Sequence, residues 1–203
     1  MNNVSSVSVN TSSRSTKVSA MVGLVLLTAI VVVLQALSVS IRFGVFNITL
    51  VLVPIIVGAA LYGAYAGAWL GLVFGVVVLF TDAGVFLAVS VPGTIFTCLL
   101  KGALAGLVAG LIYKSVSKKN KLIAVILAGI AAPVTNTGFF LICCRMFFFD
   151  TINEWAAASG FTNAGLYMIV GLVGVNFCIE LAINLVLSTA IVQIINIGLK
   201  HRA

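Results

Sequence analysis

From Phe43 to Thr81 the chain carries no charged residue. As one helix, rising about 1.5 Å per residue, that run would reach about 58 Å, while the hydrocarbon core of a bilayer is only about 30 Å thick. The run therefore has to fold back on itself, and Leu61 to Ala66 is where the sequence places the reversal. The same run carries Gly63, Gly67, Gly71 and Gly75 at four-residue spacing, which puts them on one helical face and predicts a long, close helix contact.

Composition says what surrounds the run. Hydrophobic residues make up 62% of the 203-residue chain and charged ones 7%. An ordinary soluble domain has roughly 25% charged residues, so this chain cannot cover itself for water. It is an integral membrane protein. At about 20 residues per crossing it has room for about six helices and short connections, and none for a soluble catalytic or nucleotide-binding domain.

The net charge of +7 is unevenly placed. Arg14, Lys17, Lys114, Lys118, Lys119, Lys121, Lys200 and Arg202 lie at the termini or in one connection, leaving Arg42, Lys101 and Arg145 elsewhere. Basic residues favour the cytoplasmic side, which predicts both termini and the 114–121 connection inside and an even number of spans. Residues 1–16, rich in Ser, Asn and Thr, read as a disordered cytoplasmic tail, 17–199 as a six-helix transmembrane domain and 200–203 as a second tail.

Along that domain, Val18 to Leu37 is the first span, with Ser19 and Gly23 as a small-xxx-small pair. Ser38 to Asn47 is an outer loop, and the charge-free run supplies the second and third spans. Asp82 to Gly93 is an outer loop. The fourth span follows, from Val91 to Lys114, with Lys101 in its outer half and Gly102, Gly106 and Gly110 beneath it. The fifth, from about Leu122, holds Pro133, then Thr135, Asn136 and Thr137, then Arg145. A proline tends to kink a helix, and polar residues at a kink usually line a cavity. Asp150 to Asn163 is the last outer loop. The sixth span, from about Leu166 to Ile197, holds Asn176, Glu180 and Asn184 at i, i+4 and i+8, one polar stripe.

An ionisable side chain within hydrocarbon is costly and faces a partner or a watery cavity. Lys101, Asn136, Thr137, Arg145, Asn176 and Glu180 are therefore the candidate substrate-binding residues. A buried Glu180–Lys101 or Glu180–Arg145 pair that merely orients helices is the structural alternative. The cysteines, Cys98, Cys143, Cys144 and Cys178, lack metal-site spacing and read as small core residues. No G-x-x-x-x-G-K-[ST], H-E-x-x-H or G-x-S-x-G occurs, and the single histidine, His201, lies in the terminal tail. These absences disfavour an enzyme: the reading has no catalytic residue, metal or cofactor in this chain.

Two runs carry a family resemblance: Pro-Ile-Ile-Val-Gly-Ala-Ala-Leu-Tyr-Gly-Ala-Tyr-Ala-Gly-Ala-Trp-Leu-Gly at 54–71 and Leu-Lys-Gly-Ala-Leu-Ala-Gly-Leu-Val-Ala-Gly-Leu-Ile-Tyr-Lys at 100–114. With size and span count they resemble the substrate-binding S components of energy-coupling factor (ECF) vitamin transporters. The resemblance implies an all-α, six-transmembrane-helix bundle in a bacterial cell membrane, with a vitamin site near the outer face. It also implies docking on a transmembrane coupling subunit joined to two ATPases, which use the ATP. Ser19 and Gly23 stand where the family has small docking alanines. Ala-Pro-Val-Thr-Asn-Thr-Gly at 132–138 resembles the pantothenate type. Lys101 or Arg145 would pair with the pantothenate carboxylate, and Asn136 or Asn176 with its amide and hydroxyls. Hydroxymethylpyrimidine, folate and riboflavin are the alternative ligands. A stand-alone secondary transporter and a structural membrane subunit are the alternative functions.

Overall fold

The computed structural model describes residues 5–40, 42–43, 46–47 and 50–200. In chain order these form α1 (Ser5–Ser40), a two-residue ladder of β1 (Arg42–Phe43) and β2 (Phe46–Asn47), α2 (Leu52–Tyr62), α3 (Ala64–Thr81), α4 (Gly84–Leu87), α5 (Val91–Val116), α6 (Lys121–Phe147) and α7 (Phe149–Ala158). The last span opens with α8 (Ala164–Leu166), widens into a π-helix at Tyr167–Gly174 and continues as α9 (Val175–Val186); α10 (Ser188–Lys200) follows. β1 and β2 are antiparallel, with Arg42 opposite Asn47 and Phe43 opposite Phe46.

Among the described residues, five helices are long and apolar enough to cross a membrane: 18–38, 64–81, 91–116, 121–147 and 164–186. The helix expected between the first two of these is α2, with only 11 residues. At about 1.5 Å per residue it covers about 16 Å, half of the hydrocarbon core. The first helix extends back to Ser5, whereas the sequence reading ends the tail at residue 16. No Gly or Pro interrupts that serine-rich stretch, so helix can propagate outward from the apolar span.

The charge-free run reverses at Gly63, whose φ of 97° and ψ of 170° suit a residue without Cβ. The chain then folds back so that Ala59 of α2 lies against Gly67 of α3. Gly63 is thus the hinge and not a member of the glycine ladder. The remaining three do what their spacing predicts. A Cβ on Gly71 would run into the Gly102 carbonyl, one on Gly67 into the Gly106 carbonyl, and one on Gly75 into that of Cys98. Gly110 meets Ala64 at the far end. The two ladders read in the sequence therefore pack on each other, joining α3 and α5 antiparallel and backbone to backbone. Without a hydrophobic force between helices in lipid, such close van der Waals contact is what holds them.

Around this pair, Val31, Ile55, Leu70, Val125 and Ile191 are fully buried, drawing α1, α2, α6 and α10 into one core. The opposite face of α1 leaves Val18, Met21, Val22, Val25 and Leu26 exposed, an apolar strip suited to lipid.

Two connections differ from the sequence reading. The Leu166–Ile197 span is not one helix: it breaks at Leu187. Unbroken, it would reach about 48 Å, well beyond the bilayer core. Beyond the break, α10 buries Ser188, Ile191 and Ile195 on one face. The expected outer loop at Asp150–Asn163 is largely the helix α7, which starts after a break in backbone angles at Phe148 (φ −129°, ψ 10°). Its buried Ile152 and Ala156, four apart, fix it to the bundle.

Candidate functional site

Helical spacing aims one face of each of several elements at a common cavity of about 240 Å³. α3 and its C-cap contribute Phe74, Val78 and Asp82, at i, i+4 and i+8. α5 contributes Thr94, Thr97, Cys98 and Lys101, and α6 contributes Asn136, Thr137 and Phe140. The last span adds Leu172, Val173, Asn176, Phe177 and Glu180, while Gln35 enters from α1 and Phe86 from α4. The start of α5 is fixed by Ser90, whose Oγ accepts from the Gly93 N–H at 3.3 Å. That cap leaves the first turns of α5 in place to carry the cavity wall.

Polarity inside is concentrated. Among the described lining residues, Lys101 is the cation and Asp82 and Glu180 are the carboxylates. The Lys101 ammonium lies 5.0 Å from the centre of the Phe140 ring, a cation–π distance. Thr94 and Thr97 use their hydroxyl protons on their own helix, each donating at 2.7 Å, to the Ser90 and Gly93 carbonyls. Facing the ligand space, these hydroxyls can therefore only accept. Glu180 and Asn184 are buried, and the Asn184 amide donates to the Glu180 carbonyl at 2.9 Å.

Aromatic rings close the cavity where α4 and α7 meet. Phe86 packs edge-on against Phe140, Phe148 and Trp155, with centroids 5.6, 5.1 and 5.6 Å apart. Phe86, Phe140 and Phe148 line the cavity, and Trp155, which is not among the lining residues, meets Phe86 edge-on. Ligand entry that moves Phe86 should therefore change Trp155 emission. In a Trp69→Phe background, which leaves Trp155 as the single tryptophan, a saturable fluorescence change is expected on titration with the ligand. A flat titration alongside a calorimetric binding signal would show that the ring cluster stays still.

Of the residues named from sequence, Lys101, Asn136, Thr137, Asn176 and Glu180 share this cavity. Arg145 does not: it is exposed in the last turn of α6, its guanidinium carbon 3.8 Å from the Phe149 ring centre. The sequence reading joined it to the site because an ionisable side chain within an apolar span faces a partner or a watery cavity. Helical phase instead turns residue 145 away from residues 136 and 140. Arg145→Ala should accordingly leave ligand affinity within experimental error of wild type; a tenfold loss would return it to the site. Ser19 is exposed, whereas Gly23 is covered by the Tyr62 side chain of α2.

Gln35, Asp82, Thr94 and Thr97 were missed. Gln35 had a readable signal, as the one carboxamide in the apolar block of the first span. Thr94 and Thr97 had one too, since with Lys101 they stand at i, i+3 and i+7 on one face of α5; Asp82 is brought to them only by the crossing of α3 with α5.

Among the described residues, five crossing-length helices contribute to one cavity lined by both polar and apolar side chains, the arrangement of a multi-pass membrane protein. The family model for the substrate-specific component of ECF transporters matches residues 19–192. The chain belongs to that family, whose members are transporter components and not enzymes. Neither a search of curated proteins nor a search of solved structures gave a match.

Proposed function

We propose that this protein captures a small vitamin, pantothenate first among them, in the cavity around Lys101 and passes it to an ECF module. The coupling subunit of that module receives the loaded protein, and its two ATPases supply the energy; this chain holds no cofactor of its own. The observation that carries the reading is Lys101 in the wall of a polar cavity within the membrane-crossing region. A charge there needs a partner, and an anionic solute provides one. Volume supports a small ligand: about 240 Å³ lies just below the usual range of roughly 300–1,000 Å³. Folate and riboflavin are larger than pantothenate and fit this volume less well.

The cavity residues Thr94 to Lys101 and the basic connection at Lys114–Lys121 lie towards opposite ends of the α5–α6 hairpin. With the basic end cytoplasmic, the site opens near the outer face. Both termini then lie inside, and α2 belongs to the sixth crossing. Exposed Ser19 and its neighbours on α1 remain the docking face in this reading.

A second reading rests on one specific feature. Among the described residues the lining holds Asp82 and Glu180 beside Lys101, and carboxylates in the wall also suit a ligand rich in donors, such as the aminopyrimidine of hydroxymethylpyrimidine. Ligand-dependent melting in detergent tests both, because a ligand bound only by the folded form raises the melting temperature once its concentration far exceeds Kd. A rise with pantothenate supports the first reading and a rise with hydroxymethylpyrimidine the second. No rise with any vitamin sinks vitamin capture.

A further inference from the structure

The geometry points to Gln35 as a specificity-determining residue that reads a hydrogen-bond donor on the ligand. The inference rests on the cavity being the vitamin site and deepens that reading. Gln35 is 1% exposed and stands in the cavity wall, on a helix that contributes no other residue to it. Its amide nitrogen donates to Asp82 Oδ2 at 2.8 Å and more weakly to Thr81 Oγ1 at 3.4 Å. An ionised carboxylate can only accept, so Asp82 fixes which end of the carboxamide faces it. The other end, Oε1, is therefore held away from Asp82, and it meets no donor among the described residues. Across the cavity wall, Asn136 is 7% exposed and its Oδ1 also meets no donor among the described residues.

Buried carbonyl oxygens without a donor are costly, about 1–3 kcal/mol each, and few native ones are left so. Among the described residues three such oxygens occur; Asn184 Oδ1 belongs to a residue outside the cavity lining, and the other two belong to lining residues and define what completes the cavity. The ligand carries at least two N–H or O–H groups, one for Gln35 and one for Asn136, and both side chains turn slightly to receive them. Thr94 and Thr97, with their protons committed to their own helix, add acceptors and not donors. The substrate class is thus a small, donor-rich polar molecule. Asp82 and Thr81 act as positioning residues for the Gln35 carboxamide.

Matched ligand pairs test this by calorimetry on the full chain in detergent. The probes are pantothenate against analogues with one hydroxyl replaced by hydrogen, and hydroxymethylpyrimidine against the analogue with methyl in place of its amino group. Wild type should bind one parent roughly 10- to 100-fold more tightly than an analogue lacking the donor that Gln35 reads. In Gln35→Met that discrimination should vanish, parent and analogue binding with near-equal affinity. Asp82→Asn, whose amide no longer dictates the Gln35 orientation, should weaken the same discrimination, and it carries the test if Gln35→Met gives no melting transition. Discrimination kept in the variants, or wild type indifferent to every matched pair, overturns the inference while vitamin capture stands. If wild type binds no probe at all, the proposed function fails and this inference falls with it.

Discussion

Gly71→Leu should abolish the folded protein. The Gly71 and Gly102 backbones touch, so any Cβ at residue 71 overlaps the Gly102 carbonyl, and a Cβ at 102 overlaps that of Gly71. The obstruction is backbone on both sides, which cannot rotate out of the way as a side chain could. Overpacking a well-fitted core costs about 1–3 kcal/mol per site, and an isobutyl group between two helix backbones lies at or beyond the upper end. Folded domains have only about 5–15 kcal/mol to lose. Separating α3 from α5 also opens the cavity, because the two helices carry adjoining parts of its wall. The expected outcome is loss of monodisperse protein in detergent, or a melting temperature lowered by more than ten degrees where some survives. Gly138→Ala is the matched control. A Cβ there meets nothing, so the variant should melt at or slightly above wild type, given the higher helix propensity of alanine. A wild-type melting curve for Gly71→Leu would refute the backbone contact.

Lys101→Ala carries the second large effect, and its sign separates the two ligand readings. For an anionic ligand such as pantothenate, the substitution removes a charge-assisted bond and leaves the ligand carboxylate facing Asp82 and Glu180. Losing a hydrogen bond to a charged group costs about 1.5–3 kcal/mol, a fall of roughly 10- to 100-fold, and like-charge repulsion adds to it. For a donor-rich or cationic ligand, removing Lys101 instead leaves affinity unchanged or tighter. Calorimetric titration of Lys101→Ala decides between them. The melting temperature without ligand serves as the control. A large drop there with no ligand effect in wild type would mark Lys101 as structural, the third function weighed from the sequence.

How far the site was legible follows from helical periodicity. The stripe at Asn176, Glu180 and Asn184 could be read directly, because residues four apart share a face whatever the helix packs against. Asn136 and Thr137 stood out beside Pro133, and Lys101 as a charge in an apolar span. What periodicity cannot give is the phase of one helix against its neighbours. Arg145 is as polar and as membrane-embedded in sequence as Lys101, yet helical phase leaves it exposed beside Phe149. Asp82, read as the start of a loop, becomes a wall residue because the C-cap of α3 falls level with the first turns of α5.

The sequence by itself determined the membrane, the reversal of the charge-free run between Leu61 and Ala66, the glycine-mediated helix contact and the family resemblance. Each rests on local or compositional physics: the cost of charge in hydrocarbon, the bilayer thickness, the four-residue repeat of a helix face. Only the tertiary structure decided which glycine turns the chain and which ones pack, that α2 is half a span, and that the last helix breaks at Leu187. Tertiary packing also brought Gln35 to Asp82, 47 positions apart in the chain. No local signal encodes such a meeting, because it depends on how α1 and α3 lie side by side once the backbones of α3 and α5 have closed on each other.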